Sequence, residues 1–126
     1  MRIFIDANVL LDVVLERQNF ISAAQALREL PVTPVISTLT IHLVMHFGLR
    51  ERKIDILRKF LADFEVLNLD KVDAEWAFNN MRDKDFEDAL QLAVAIRNGC
   101  ERFVTFDAKL YKYYKDLVAI EVKLLK

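Results

Sequence analysis

Cysteine occurs once in the 126 residues, glycine and proline twice each, and tryptophan once. The lone Cys100 excludes an internal disulfide framework and any multi-cysteine zinc site, and it fits a reducing, intracellular setting. So few chain breakers leave little room for long loops, and an apolar fraction of 54% disfavours disorder. An excess of one charge is missing too. With 18 basic and 19 acidic residues the net charge is −1, so nothing global draws the chain to nucleic acid or to a membrane. No uncharged apolar run reaches the roughly 18 residues of a membrane span. Asp6 interrupts the first apolar run before it could serve as a signal peptide. The expectation is one soluble, cytoplasmic domain over residues 1–126, long enough for a single core.

What is present alternates short β-branched runs with helical periods. Ile3–Ile5 reads as a first strand, followed by a helix over Val9–Glu16 with Leu10, Val13 and Val14 on one side. Phe20–Leu30 is Ala-rich and helical, and Pro31 ends it. Val35 and Ile36 form a short strand, and Ser37, Thr38 or Thr40 can cap a helix over Leu39–Phe47 that stops at Gly48. Ile54, Leu57 and Leu61 give helical spacing to 53–63, Glu65–Leu69 reads as a strand, and Asp70 can cap a helix over Val72–Met81. Asp85–Asn98 is the most apolar helix, closed by Gly99. Phe103–Thr105 and Val118–Val122 supply two last strands around a short helix at Leu110–Tyr114. Strands alternating with helices argue for an α/β fold, with a mostly parallel sheet of about five strands covered on both faces. In such sheets ligands gather beyond the carboxyl ends of the strands, where strand order reverses.

Acidic residues fall at that location. Asp6 follows the first strand, Asp107 follows "RFVTFD", and "DKDFEDAL" sets Asp85 and Asp88 at the start of the long helix. Residues three apart share a helix face, so Asp85 and Asp88 can point the same way. Asp88 continues the apolar stripe of Leu92, Ala95 and Ile96 and should face inward or into a cleft, unlike Glu87 with Gln91 and Asn98 behind it. Carboxylates converging in a partly dry cleft repel one another and raise their own pKa values. A hard divalent cation, Mg²⁺ or Mn²⁺, resolves the conflict and can activate a water against a phosphodiester. Each acid also has an ordinary reading. Asp85 can be a helix N-cap, stabilising by about 1 kcal/mol, and Asp6 or Asp107 alone can be a turn residue. Their joint placement is what makes a site.

At these residues the chain resembles the PIN domain, a metal-dependent nuclease fold. The matching stretches are "FIDANVLLD", "ISTLT", "DFEDALQLAVA" and "FVTFD", in the order of that family and across nearly the whole chain. Small bacterial members, many of them toxins of toxin–antitoxin pairs that cleave RNA, look most similar. The resemblance implies a three-layer α/β/α sandwich with an acidic site for Mg²⁺ or Mn²⁺. By motif, Asp6, Asp88 and Asp107 match its acidic positions and Asp85 the first acid of "DFED". Asn8 and Thr105 match polar residues that support such a site through hydrogen bonds, and Ser37 matches a serine before the third helix. One departure stands out: Leu43 occupies a third-helix position where many members carry a Glu.

His46 lies one turn after Leu43 and could partly substitute for that acid, while His42 points about 100° away. The two histidines, at i and i+4, can also bind a transition metal, but no third ligand of zinc type adjoins them, and half-buried histidines are the plainer reading. Asp12 and Glu16 read as a solvated face beside Arg17, although Asp12 also matches a recurrent acid of the motif. The run Arg50, Arg52, Lys53, Arg58 and Lys59 reads first as solvated helix surface and second as a grip on phosphates. Tyr111, Tyr113 and Tyr114, interleaved with lysines, could stack on unpaired bases, but core or interface packing is the favoured reading.

The function expected from these residues is a Mg²⁺/Mn²⁺-dependent ribonuclease acting on single-stranded RNA. Asp6, Asp85, Asp88 and Asp107 would hold the ion, with Asn8, Ser37, Thr105 and His46 in support. No serine or cysteine is paired with a base for covalent catalysis. The family resemblance adds an antitoxin partner and a homodimer. A non-catalytic PIN-like module binding RNA or an antitoxin is the alternative, and Leu43 favours it. Phosphotransfer through Asp6 is a further rival, weakened by Asn8 standing where a second Asp is usual.

Overall fold

A computed structural model describes all residues, 1–126. Five strands and seven helices alternate: β1 Ile3–Ile5, α1 Ala7–Val14, α2 Phe20–Arg28, β2 Val35–Ser37, α3 Thr38–Gly48, α4 Ile54–Leu61, β3 Glu65–Leu67, α5 Lys71–Asn80, α6 Phe86–Arg97, β4 Arg102–Thr105, α7 Ala108–Tyr114 and β5 Glu121–Leu124. The strands make one sheet in the order β3-β2-β1-β4-β5, with every neighbouring pair parallel. Parallel neighbours need crossover connections, and the helices supply them on both faces. From β1 the chain adds β2 and β3 on one side, then returns to place β4 on the other. Strand order therefore reverses at β1, and the crevice expected at such a reversal opens beyond the carboxyl ends of β1 and β4.

Side chains alternate across a strand, and that alternation sorts the core into two layers. Ile3, Ile5, Ile36 and Val104 point to one face, where Val9, Leu10, Val44, Leu57 and Leu61 of α1, α3 and α4 cover them. Phe4, Val35, Phe103 and Val122 point to the other, against Leu92 and Ala95 of α6 and Leu110 and Tyr114 of α7. Phe4 and Phe103 pair across β1 and β4 and stack at 5.3 Å.

Local chemistry sets the helix starts. Ser37 and Thr40 form a reciprocal capping box on α3, in which the Thr40 amide donates to Ser37 Oγ at 3.2 Å and the Ser37 amide to Thr40 Oγ1 at 3.1 Å. Asp70 and Asp73 repeat the device on α5. Several expected boundaries shift by about two residues, among them α1, which starts at Ala7, and β3, which ends at Leu67. α3 does end at Gly48, where a Cβ would sit 2.8 Å from Leu57 Cδ2, so the glycine admits α4 against α3. The last strand is Glu121–Leu124 and not Val118–Val122; Val118 is fully exposed, and pairing with β4 starts at Glu121, whose carboxylate accepts from Arg102 Nε at 2.6 Å. Gly99 does close the long helix, at φ +70°. No helix is long and apolar enough to cross a membrane.

Candidate functional site

Asp6 leaves the end of β1 as the residue capping α1, and its amide donates to the Val104 carbonyl of β4 at 2.9 Å. Its side chain is thereby set over the crevice, only 4% exposed. Thr105, fully buried at the end of β4, donates through Oγ1 to Asp6 Oδ2 at 2.7 Å and accepts from the Asp107 amide at 2.9 Å. One hydroxyl thus ties the two strand ends together. Asp107 caps α7, with Oδ1 accepting from the Lys109 and Leu110 amides at 2.9 and 3.1 Å. Asp85 caps α6 through the Asp88 amide at 3.2 Å, as its ordinary reading holds, and it also borders the crevice.

These elements enclose a cleft of about 170 Å³ with two unlike walls. Asp6, Asp85, Glu87, Asp88 and Asp107 line one; Ala7, Leu11, Leu43 and Phe47 line the other, with Asn8 between them. A larger groove of about 230 Å³ lies between α2 and β5, but its lining is mainly apolar and carries no cluster of acids.

No cation offsets the acidic wall. Asp88 is 6% exposed, and no hydrogen bond or ion pair reaches its carboxylate. Burial, reinforced by Asp6, Asp85, Asp107 and Asp83, lifts its pKa to about 9. Burial lifts Asp6 to about 7 against the opposing Thr105 hydrogen bond, with Glu87 and Asp107 adding repulsion. Glu87 is raised as well, first by burial and then by Asp85. Arg82, which approaches the Tyr114 ring, is engaged with Asp116.

The chemistry of this lining fits a hard divalent cation. Every polar group facing the cleft offers oxygen, and Asn8 Oδ1 is shielded from solvent with no hydrogen-bond partner. The carboxylates ring the space without closing on one point: no three acids or histidines are grouped as a metal cage.

Asp6, Asp85, Asp88, Asp107 and Asn8 are brought to this cleft, with Thr105 directly behind it. Ser37 and His46 are not. Ser37 is fully buried and donates to Gln91 Oε1 at 2.6 Å, while Gln91 Nε2 donates to Thr40 Oγ1 at 3.0 Å, so these polar groups lock α6 to the start of α3. His46 is exposed and lies 3.4 Å from Arg50 Nη2; Phe47, its neighbour, faces the cleft instead. Asp12 is buried, not solvated, and accepts from Asn19 Nδ2 at 3.3 Å.

Sequence reasoning turned Glu87 and Gln91 away from the interior; Glu87 instead lines the cleft, and Gln91 is buried but in the Ser37–Thr40 network outside the cleft. Gln91 is 1% exposed. Glu87 lines the cleft although it sits about 100° from Asp88 around the helix, because helical side chains lean toward the N-terminus. A cleft lying beyond the end of α6 therefore collects Glu87 as well as Asp88, while Phe86 between Asp85 and Glu87 packs on Phe78 instead. The signal was available in "DFED", which puts three acids in and just before one turn.

The PIN domain family model matches residues 3–116, and the chain belongs to that family. Solved structures share its fold at low identity. A toxin–antitoxin complex from Klebsiella pneumoniae superposes with a TM-score of 0.75 at 24% identity, covering 95% of each chain. VapC20 of Mycobacterium tuberculosis, a toxin that cleaves the sarcin–ricin loop, gives 0.74 at 16% identity, covering 94% of this chain and 98% of its own. VapBC2 of Rickettsia felis, bound to a promoter DNA fragment, gives 0.73 at 16% identity over 100% of both chains. No curated protein sequence matches the chain.

Proposed function

We propose that this PIN-domain protein is a Mg²⁺- or Mn²⁺-dependent ribonuclease that hydrolyses phosphodiester bonds of single-stranded RNA. One observation carries the proposal: Asp6 and Asp88 are buried in one cleft at the carboxyl ends of parallel strands, without a cation to offset them. Asp6, Asp88 and Asp107, with Asp85, are the residues that would hold the ion. When bound, such an ion supplies a water acidic enough to attack at neutral pH and positive charge for the phosphoryl oxygens. Thr105 fixes Asp6 relative to Asp107 by bonding both. Asp85 fixes the first turn of α6, and with it Asp88. No serine or cysteine lines the cleft to serve as a hydroxyl or thiol nucleophile, and on this reading the attacking oxygen is that of water.

The toxin half of a toxin–antitoxin pair is the biological role proposed, with an antitoxin protein as partner, a homodimer as the assembled form and the cytoplasm as the site of action. A toxin–antitoxin complex and a loop-cleaving toxin among the structures of the same fold support it. The test is cleavage of a labelled single-stranded RNA with Mn²⁺, compared with EDTA and with Asp88→Asn. Equal cleavage by wild type and Asp88→Asn would sink the assignment. A second reading, a non-catalytic module that binds RNA or antitoxin, draws on Leu43 and Phe47 as an apolar wall. It predicts RNA binding without cleavage and no uptake of Mn²⁺.

A further inference from the structure

Two walls of the cleft differ in what they can offer a cation. α3 contributes only Leu43 and Phe47, which have no oxygen to donate. The first turn of α6 contributes Glu87 beside Asp88, and the half-buried Glu87 carboxylate has no hydrogen-bond or ion-pair partner. A glutamate in the first turn of a helix can be explained by the helix dipole alone when it reaches solvent. This one is drawn into a shared space with four aspartates.

Two further observations point to a ligand there. Asp88 is more than nine-tenths buried and lines the cleft with an unpartnered carboxylate, and Asn8 Oδ1 is shielded and unpartnered on the same cleft. We infer that Glu87 is a carboxylate ligand of the divalent-cation centre, supplying the oxygen donor that the apolar α3 wall lacks. The inference rests on the metal-dependent reading of the cleft. Glu87 has one more methylene than the aspartates around it and can reach over the cleft from a position off the Asp88 face. The chain would then hold its cation from α6 and the strand ends, leaving the α3 side free of charge.

Calorimetric titration of the full-length protein with Mn²⁺, without RNA, tests the assignment. Glu87→Gln keeps the shape of the side chain and removes one repelling charge, so its melting temperature in EDTA should equal or exceed that of wild type. Its Mn²⁺ affinity should fall about tenfold, within the range seen for groups that hold or orient a metal. The paired change Leu43→Glu with Glu87→Gln should recover affinity by returning a carboxylate from the α3 side. Unchanged Mn²⁺ affinity in Glu87→Gln, beside a wild type that binds, would overturn the role of Glu87 alone. Weaker binding accompanied by a lower melting temperature in EDTA would also overturn it, by making Glu87 a structural residue. A wild type that takes up no Mn²⁺ would overturn the metal-dependent reading and this assignment together.

Discussion

Asp73 and Asp88 are both buried, at 1% and 6% exposure, and both lie against α6, at opposite ends of it. Arg97, in the last turn, meets Asp73 with two bonds, Nε to Oδ1 at 2.8 Å and Nη2 to Oδ2 at 2.9 Å. Asp88, in the first turn, has only other acids for company. The first pair is a closed arrangement of the kind that holds α5 to α6. The second is an open one, raised in pKa because burial and repulsion are left unanswered. Burial of a carboxylate thus says little about its purpose. The presence or absence of a counter-charge separates fastening from function.

The largest test of that contrast removes the open acids. Asp88→Asn or Asp6→Asn should reduce RNA cleavage by at least about 100-fold, on the scale of several kcal/mol for metal-centred charge stabilisation. Both should keep their fold and melt at or above the wild-type temperature in EDTA. Cleavage rates with saturating Mn²⁺ and melting curves without it provide the check.

Making the closed pair resemble the open one comes next. Arg97→Met should cost about 3 kcal/mol, because it strands a buried carboxylate. Urea denaturation measures that loss, and Mn²⁺ affinity should not move. The contrast should also show in pH. For Asp6 and Asp88 the folded pKa lies above the unfolded value, so the folded state binds more protons in between. Stability of the metal-free protein should be greatest below about pH 4 as far as these two groups are concerned, and fall as pH rises until about 7 for Asp6 and about 9 for Asp88. The drop between pH 5 and 9 should reach several kcal/mol, and added Mn²⁺ should flatten it. Denaturant midpoints at both pH values, with EDTA and with Mn²⁺, decide the matter. The smallest expected change is that of Thr105→Val, which deletes the larger of the two hydrogen bonds opposing the rise at Asp6, the other coming from the Ala7 backbone. It should cost about 1 kcal/mol at pH 8 and weaken Mn²⁺ binding, read in the same two assays.

The alternation of strands and helices, the parallel sheet and the gathering of Asp6, Asp85, Asp88 and Asp107 were legible because each rests on local pattern. Apolar periods mark elements, and an acid directly after a strand lands where the sheet opens. The misplaced features depend on packing between distant elements. Gln91 resembles a surface residue until Ser37 and Thr40 meet it from 54 and 51 positions away. Glu87 is missed by treating a helix as a cylinder of faces, although a site beyond its end also receives a side chain set about 100° from Asp88. The Arg97–Asp73 pair, spanning 24 residues, left no mark in the periodicity at all.

The strand order also has a consequence in time. Asp6 enters the growing chain 99 residues before the Thr105 that orients it, and β4 must pair with the free edge of β1 before the cleft exists. Chains are made from the N-terminus, and long-range parallel pairing is slow to form. Until β4 has paired with β1, the nascent polypeptide holds its acids and no site. On the ribonuclease reading, the protein gains its cutting site only after the segment carrying Thr105 and Asp107 has been made and docked.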